Sequence, residues 1–240
     1  ILHKLNKLKK IFFRKNFLKG LFYGIVATTE HIPLLNSLGN LNTIIDIGAN
    51  KGQFTLAARD TYKKTKIISF EPLTKPSEKF KRFFAKDKNV VLYTYAIGSK
   101  TSQSLIHVSK KNDSSSLLPI GSKQSSIFPG TNESHLEKIQ ISTLHQLIKK
   151  EDLISPVLVK IDVQGYELEV LKGGNDFFKK IKYLIIEVSE NEIYSGQSVS
   201  KEIIQYLENK NFIILKENLS TQIVNTHYMQ RDILFVNKLI

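Results

Sequence analysis

Short apolar runs alternate with amphipathic stretches along most of the 240-residue chain. Continuous apolar runs bounded by turn residues mark strands covered on both faces. Apolar positions three and four apart mark the helices that cover them. On this basis strands are predicted at 43–47, 66–70, 90–96, 157–163, 183–188, 212–215 and 232–236, and helices at 53–60, 77–86, 143–149, 166–172 and 200–208. Strands separated by helices imply βαβ crossovers, so the expected fold is α/β with a mostly parallel sheet and helices on both faces. The last two strands have no clear helix between them and are expected to pair antiparallel.

Two stretches break the alternation. Residues 98–141 are long, polar and rich in Ser, Lys and Asn, with Pro119, Gly121, Pro129 and Gly130 among them. A strand at 102–108 is the one regular element the pattern suggests there. Long polar segments inside a compact domain are commonly lids or binding loops, so a lid or acceptor-binding insertion stands beside a plain surface loop. Residues 1–20 carry Lys4, Lys7, Lys9, Lys10, Arg14, Lys15 and Lys19 and no acid, interleaved with Leu2, Leu5, Leu8, Ile11, Phe12 and Phe13. That is a basic amphipathic helix pattern. It suits weak contact with an anionic surface, or a helix packed on the domain with its lysines in water. The expected organisation is a helical extension over 1–40 and a main domain over 41–240.

Charge and composition narrow the classes. Lys and Arg number 35 against 22 Asp and Glu, a formal net charge of +13. No run approaches the roughly 18 apolar residues of a membrane-spanning helix. Lys19 interrupts the early apolar stretch, which argues against a secretory signal. The expected location is cytoplasmic, with the basic segment at most peripheral to the inner face of a membrane. Cysteine is absent. Its absence excludes disulfides, thiolate metal sites and a cysteine nucleophile, and leaves the compartment open. No His-x-x-x-His spacing points to a metal.

The chemistry concentrates at strand ends. Thr43-Ile-Ile-Asp46-Ile-Gly48-Ala49-Asn50-Lys-Gly52-Gln-Phe54 is a buried strand ending in an acid, then a glycine turn opening a helix. Glycines let a backbone approach a ligand closely, and a helix start offers free N–H groups. A dinucleotide fingerprint would read Gly-x-Gly-x-x-Gly, with glycine rather than acid beside the pyrophosphate. Here Asp-x-Gly-x-x-x-Gly places an acid that would repel a pyrophosphate but suits the cationic amino-acid end of S-adenosylmethionine (SAM). The Lys-Ser/Thr of a P-loop is missing. Nineteen residues after Gly52, Glu71-Pro72 closes the second strand, where a carboxylate can accept both ribose hydroxyls. A second strand-to-turn unit reads Lys160-Ile-Asp162-Val-Gln164-Gly165-Tyr-Glu167, and Glu187 lies near the end of the next strand. Ligands in open α/β sheets sit outside the carboxyl ends of strands, so Asp162 and Glu187 are expected at the same crevice as Asp46 and Glu71. They could serve as a general base, hold a sugar hydroxyl, or simply cap a turn or pair with Lys160. Before the first strand, Glu30-His31 is a further candidate base with its orienting acid.

These motifs resemble those of the FkbM family of SAM-dependent methyltransferases, from about Thr43 to the C-terminus. The resemblance rests on Asp46–Gly52 and Lys160–Glu167, with Phe70-Glu71-Pro72, Ala96-Ile97-Gly98, Ser115-Ser116-Leu117 and Arg231-Asp232-Ile-Leu-Phe235 in support. It implies a Rossmann-like class I methyltransferase fold with seven strands and a C-terminal antiparallel hairpin, and O-methylation, often of sugar hydroxyls in glycans or glycosylated metabolites. By position it implies that Asp46, Gly48, Ala49, Asn50, Gly52 and Phe54 surround the methionine end of SAM. Glu71 and Pro72 would lie at the ribose and Ala96 and Ile97 at the adenine, with Lys160 and Asp162 as signature positions. Asp162 is the first choice of catalytic base and His31 the second, with Glu187 and Lys160 beside them. The expected partner is a small-molecule or glycan hydroxyl acceptor. No Asn/Asp-Pro-Pro-Tyr/Phe motif for a flipped base occurs, so nucleic acid is the lesser expectation. An RNA ribose methyltransferase and a non-catalytic SAM- or glycan-binding module remain the alternatives, and neither acceptor nor oligomeric state is legible.

Overall fold

A computed structural model of the protein describes residues 14–174, 177–222 and 229–240. The described residues begin with α1 (Lys15–Phe22) and α2 (Ile32–Ser37), then run β1 (Thr43–Ile47), α3 (Gln53–Thr61), β2 (Lys66–Phe70), α4 (Thr74–Phe84), β3 (Val90–Tyr93) and β4 (Ala96–Ile97). Next come β5 (Ser102–Ser109), α5 (Ser122–Ile127), β6 (Glu133–Ser142), α6 (Leu144–Leu147), β7 (Val157–Ile161) and α7 (Glu167–Gly173). The remainder is β8 (Ile181–Ser189), α8 (Ser200–Glu208), β9 (Phe212–Gln222) and β10 (Met229–Asn237).

Seven strands form one sheet in the order β3-β2-β1-β7-β8-β10-β9. The first five pair in parallel, and β10 runs antiparallel to both β8 and β9. This is the Rossmann-like methyltransferase sheet that the strand pattern and the resemblance predict. Alternation along the buried strands sorts the core into two layers, because successive side chains point to opposite faces. Ile45, Ile47, Val157, Val159 and Ile161 pack on one face with Leu171 of α7 and Ile203 and Leu207 of α8. Ile44, Leu158 and Ile185 pack on the other with Phe17 of α1, Leu35 of α2, Leu56 of α3 and Phe80 of α4. Residues 14–40 therefore contribute to the same core as the sheet, with Phe17, Ile25, Leu34 and Leu35 all buried. In α1 the lysines Lys15 and Lys19 stay exposed and Phe22 is 90% exposed. Of the amphipathic pattern read over 1–20, residues 1–13 lie outside the described residues.

The structure departs from the pattern in three places. The predicted strand at 90–96 breaks after Tyr93, and β4 leaves the main sheet to join a second one of order β4-β6-β5. The segment 98–141 is not mainly loop: β5 and β6 form an antiparallel hairpin paired from Ser102↔Ile141 to Ser109↔Glu133. Its apolar signal is weak because one face alone is covered, by a small cluster of Leu73, Ala96, Ile106, Val108, Ile139 and Ile141. Leu105 and Leu136 stay exposed. The terminal strands β9 and β10 are longer than the apolar runs within them, because pairing continues through polar residues.

Candidate active site

The site is built at the carboxyl ends of β1, β2 and β7. After β1 the chain turns at Gly48, whose φ is +84° and where an added Cβ would stand 1.8 Å from the Asp162 carbonyl oxygen. Only glycine fits so close an approach of two strand ends. Gly48 and Ala49 donate their N–H groups to the Phe70 carbonyl at 3.0 and 2.9 Å, which ties the turn to β2. Gly52, at φ +94°, starts α3 against Phe80 and Phe84, where a Cβ would come within 2.6 Å of Phe84. The Glu71 carboxylate braces the turn from below, accepting the Asn50 N–H on Oε2 and the Leu73 N–H on Oε1, each at 2.8 Å. Burial raises the Glu71 pKa to about 7 despite these two hydrogen bonds.

Between the turn and the second sheet lies a cleft of about 840 Å³, open mouth included. Gly48, Ala49, Asn50 and Phe54 form one wall of it, and Glu71, Pro72, Ala96 and Ile97 another. Lys160 and Asp162 reach it from the end of β7. The insertion closes it with Ile106, Asn112, Ser115 and Leu117. Four expected residues do not line it: Gly52, Asp46, His31 and Glu187. Gly52 sits behind the turn, on α4. Asp46 is wholly buried beneath the turn and takes the Thr55 hydroxyl at 2.7 Å on Oδ2. A residue one position before the strand's last faces the opposite layer from one at its tip, which is why Asp46 points down rather than into the cleft. Its pKa is raised, by burial first, with Lys160 opposing.

The chain's polar side chains fit a charged, hydroxyl-rich ligand such as SAM. The Glu71 oxygens each retain a lone pair beyond the backbone bonds. Thr28, just before α2, lines the cleft, and its buried Oγ1 has no hydrogen-bond partner. An unsatisfied buried hydroxyl is costly, so a ligand that bonds it is stabilised there.

Lys160 and Asp162 form a buried ion pair, Nζ to Oδ2 at 2.8 Å. Burial alone would lower the Lys160 pKa, but Asp162 and Asp46 outweigh it and the net shift is upward. Burial would raise Asp162, yet Lys160 and the Gln164 amide hold it below the usual carboxylate range. Both partners are therefore charged at neutral pH. Gln164, at φ +56°, donates one amide nitrogen to Asp162 Oδ1 and to Glu187 Oε2, both at 2.8 Å. Glu187 is raised well above its ordinary value by burial, then by Asp162 and Asp232, so it tends to keep its proton. The neighbouring Glu167 caps the same turn, accepting the N–H groups of Val163 and Gly165 at 3.2 and 3.0 Å.

His31 is buried edge-on to Phe54, ring centroids 5.3 Å apart, and does not line the cleft. Its Nε2 stands 3.2 Å from Asp232 Oδ2, without hydrogen-bond alignment. Asp232, and not the exposed Glu30, is thus the acid facing His31, because β10 places Asp232 opposite Glu187 of β8. Thr28 and Gln164 also line the cleft and Asp232 faces His31, though none was among the candidate site residues expected from the sequence. Gln164 stood in a quoted motif and Asp232 in another; Thr28 carried no signal.

The description "Methyltransferase FkbM domain" matches residues 46–214 of the chain. The 2-O-methyltransferase NoeI of Sinorhizobium fredii is 24% identical over 68% of this chain and 70% of its own length. The hexuronic acid methyltransferase AglP of Haloferax volcanii is 29% identical over 29% of this chain and 32% of its own. Among solved structures, TehB from Haemophilus influenzae superposes with a TM-score of 0.52 at 10% identity, over 91% of this chain and 65% of that one. Sp1610 of Streptococcus pneumoniae, solved with S-adenosyl-L-methionine, gives 0.51 at 10% identity, over 88% and 74%. The glycine turn braced by Glu71, the seven-stranded sheet and the match across more than half of the chain agree: the protein belongs to the FkbM methyltransferase family and is a SAM-dependent methyltransferase.

Proposed function

We propose that the protein methylates a hydroxyl oxygen of a sugar, in a glycan or a glycosylated metabolite. The observation that carries this is the ionised Asp162 at the cleft, fixed by Lys160 and Gln164 at the end of β7. One relative is named a 2-O-methyltransferase and the other a hexuronic acid methyltransferase, which together support a sugar hydroxyl as acceptor. SAM, when bound, supplies an activated methyl group, so the chain's own task is to bind, align and take up a proton. In this reading Glu71 holds the ribose hydroxyls, and Ala96 and Ile97 lie along the adenine. Asp162 would accept a hydrogen bond from the acceptor hydroxyl and so orient it. With SAM bound, transfer of its methyl group to the acceptor oxygen would leave the hydroxyl proton strongly acidic while the donor leaves as its thioether. A carboxylate with a lowered pKa still takes that proton. Lys160 keeps Asp162 ionised until then. Alignment of this kind supplies up to about 7–11 kcal/mol of a barrier. Glu187, which keeps its proton and accepts the Gln164 amide, is not the base, and His31 acts through Asp232 as a positioning residue. The insertion 98–141 walls the side from which an acceptor would enter, and we assign it the acceptor contacts.

The test is transfer of labelled methyl from SAM to a panel of free and linked sugars. The expected product keeps its label through alkaline hydrolysis, as an ether does. Label released by alkali would mean a carboxyl ester instead, and no labelled sugar from a SAM-binding protein would overturn the reading. No helix among the described residues is long and apolar enough to cross a membrane.

A further inference from the structure

Beside the mouth of the cofactor cleft lies a second hollow, about 730 Å³ with its open side, lined by Lys51, Lys75, Lys79, Arg82, Glu78 and Asn112. Three separate elements build it. Lys75, Lys79 and Arg82 fall at i, i+4 and i+7 of α4 and so share one stripe of that helix. Lys51 comes from the glycine turn, next to Asn50 of the cleft wall. Asn112 comes from the insertion and lines both cavities. The hollow therefore adjoins the cleft at Asn112.

Its charge is unbalanced. Among the described residues, none of the four cations lies within ion-pair distance of a carboxylate oxygen, Glu78 included. Elsewhere the fold pairs its guanidinium groups: Arg14 with Asp60, Arg59 with Asp87, and Arg231 with Glu190. Arg82 alone of the four arginines has no such partner. Like charges at i,i+4 repel, so this stripe costs stability unless an anion sits against it. A single carboxylate would leave most of that charge uncompensated. A diphosphate carries enough charge and enough acceptor oxygens to meet four cations and the Asn112 amide.

We propose that this hollow binds the diphosphate of an acceptor whose sugar enters the neighbouring cleft, so that the sugar is methylated while still on its diphosphate carrier. The proposal rests on the sugar reading above. The carrier has two possible sources with the same chemistry: a soluble nucleoside diphosphate or a membrane lipid diphosphate. The second finds a docking face in α1. Lys79 Nζ lies 3.7 Å from where a Cβ on Gly24 would stand, and Phe22, two residues away, is 90% exposed beside the exposed Leu21 and Val26.

Inorganic pyrophosphate is the first probe, titrated calorimetrically against the full chain and against Lys75→Glu/Lys79→Glu/Arg82→Glu. The wild type should bind it, and the triple variant should bind at least about tenfold more weakly. SAM titration in both proteins is the control for an intact fold and should change little. Uridine diphosphate and phosphatidylcholine vesicles carrying farnesyl diphosphate then separate the sources, and binding of either that is lost in the triple variant supports the proposal. Equal pyrophosphate binding by both proteins overturns it. So does binding of phosphatidylserine vesicles or a short RNA without binding of pyrophosphate. If free neutral sugars are methylated with a KM that the triple variant leaves unchanged, the methyltransferase reading stands and the diphosphate proposal falls. If pyrophosphate binds through these cations and neither free nor diphosphate-linked sugars accept a methyl group, the anion site stands and the sugar reading falls, and with it the role given to the site in sugar methylation.

Discussion

At the residue scale the ion pair of Lys160 and Asp162 decides most. Asp162→Asn removes the charge that receives the proton and leaves Lys160 buried without its ion-pair partner, with Asp46 and Asp232 as the remaining acids acting on it. Methyl transfer should fall by about 10²-fold or more, since that is the usual contribution of a positioned acid–base group. Thermal unfolding should show a separate loss, up to about 3 kcal/mol, from the unpaired lysine. Calorimetric SAM affinity should move far less than kcat. Survival of turnover within twofold would end the assignment. Gly48→Ala is the sharper structural test, because its Cβ would strike the Asp162 carbonyl at a positive φ. We expect a loss of more than about 2 kcal/mol and of SAM binding together, read by denaturation and titration. Both motifs were legible as spacing. The downward direction of Asp46 was not, since whether a strand-end acid faces the ligand or the layer beneath depends on where the turn begins.

At the scale of elements the insertion is the least legible part and the most consequential. The pattern predicts one strand at 102–108 and otherwise loop, whereas the chain forms a paired hairpin that closes the cleft. Polar strands lack a signal when their stability comes from pairing and one thin apolar face. The insertion is fastened to the site by Ser116, whose hydroxyl donates to the Gln164 carbonyl at 2.6 Å. Tyr194 fastens it again, its hydroxyl donating to the Ser114 carbonyl at 3.1 Å and accepting the Gln124 amide at 3.0 Å. Tyr194 also lies within 3.0 Å of Gln164 Oε1. Tyr194→Phe strands these buried partners and should cost about 1–3 kcal/mol. Limited proteolysis within 110–130 should become faster, and the acceptor KM should rise more than kcat falls. Unchanged proteolysis would show that the hydroxyl is not a fastening.

At the scale of the whole molecule, two buried acids give folding a pH dependence of unusual sign. Glu71 and Glu167 both rise to about 7 from an ordinary 4.5, burial being the leading cause in each. Between those values the folded chain holds protons that the unfolded chain has released. Stability from these groups is full below about pH 4.5 and is lost as the pH rises through about 7. Denaturant unfolding across that window should show a falling contribution, which Glu167→Gln reduces. For Glu71 the same shift reaches function: its ionised form accepts ribose hydroxyls, so SAM affinity should strengthen as pH rises through about 7. That dependence should flatten in Glu71→Gln. A steeper pH profile in the variant would contradict the assignment.

The linear chain determined the order of strands and helices, the glycine turn and the acids at strand ends, because period, turn chemistry and spacing are local properties. It also carried both family motifs. Tertiary structure decided what these local signals leave open. It set Asp232 against His31 and Glu187 through the antiparallel register of β8 and β10. It brought Thr28 into the cleft and gathered Lys51, Lys75, Lys79 and Arg82 around one hollow. Each of these joins residues far apart along the chain, and only packing brings such residues together.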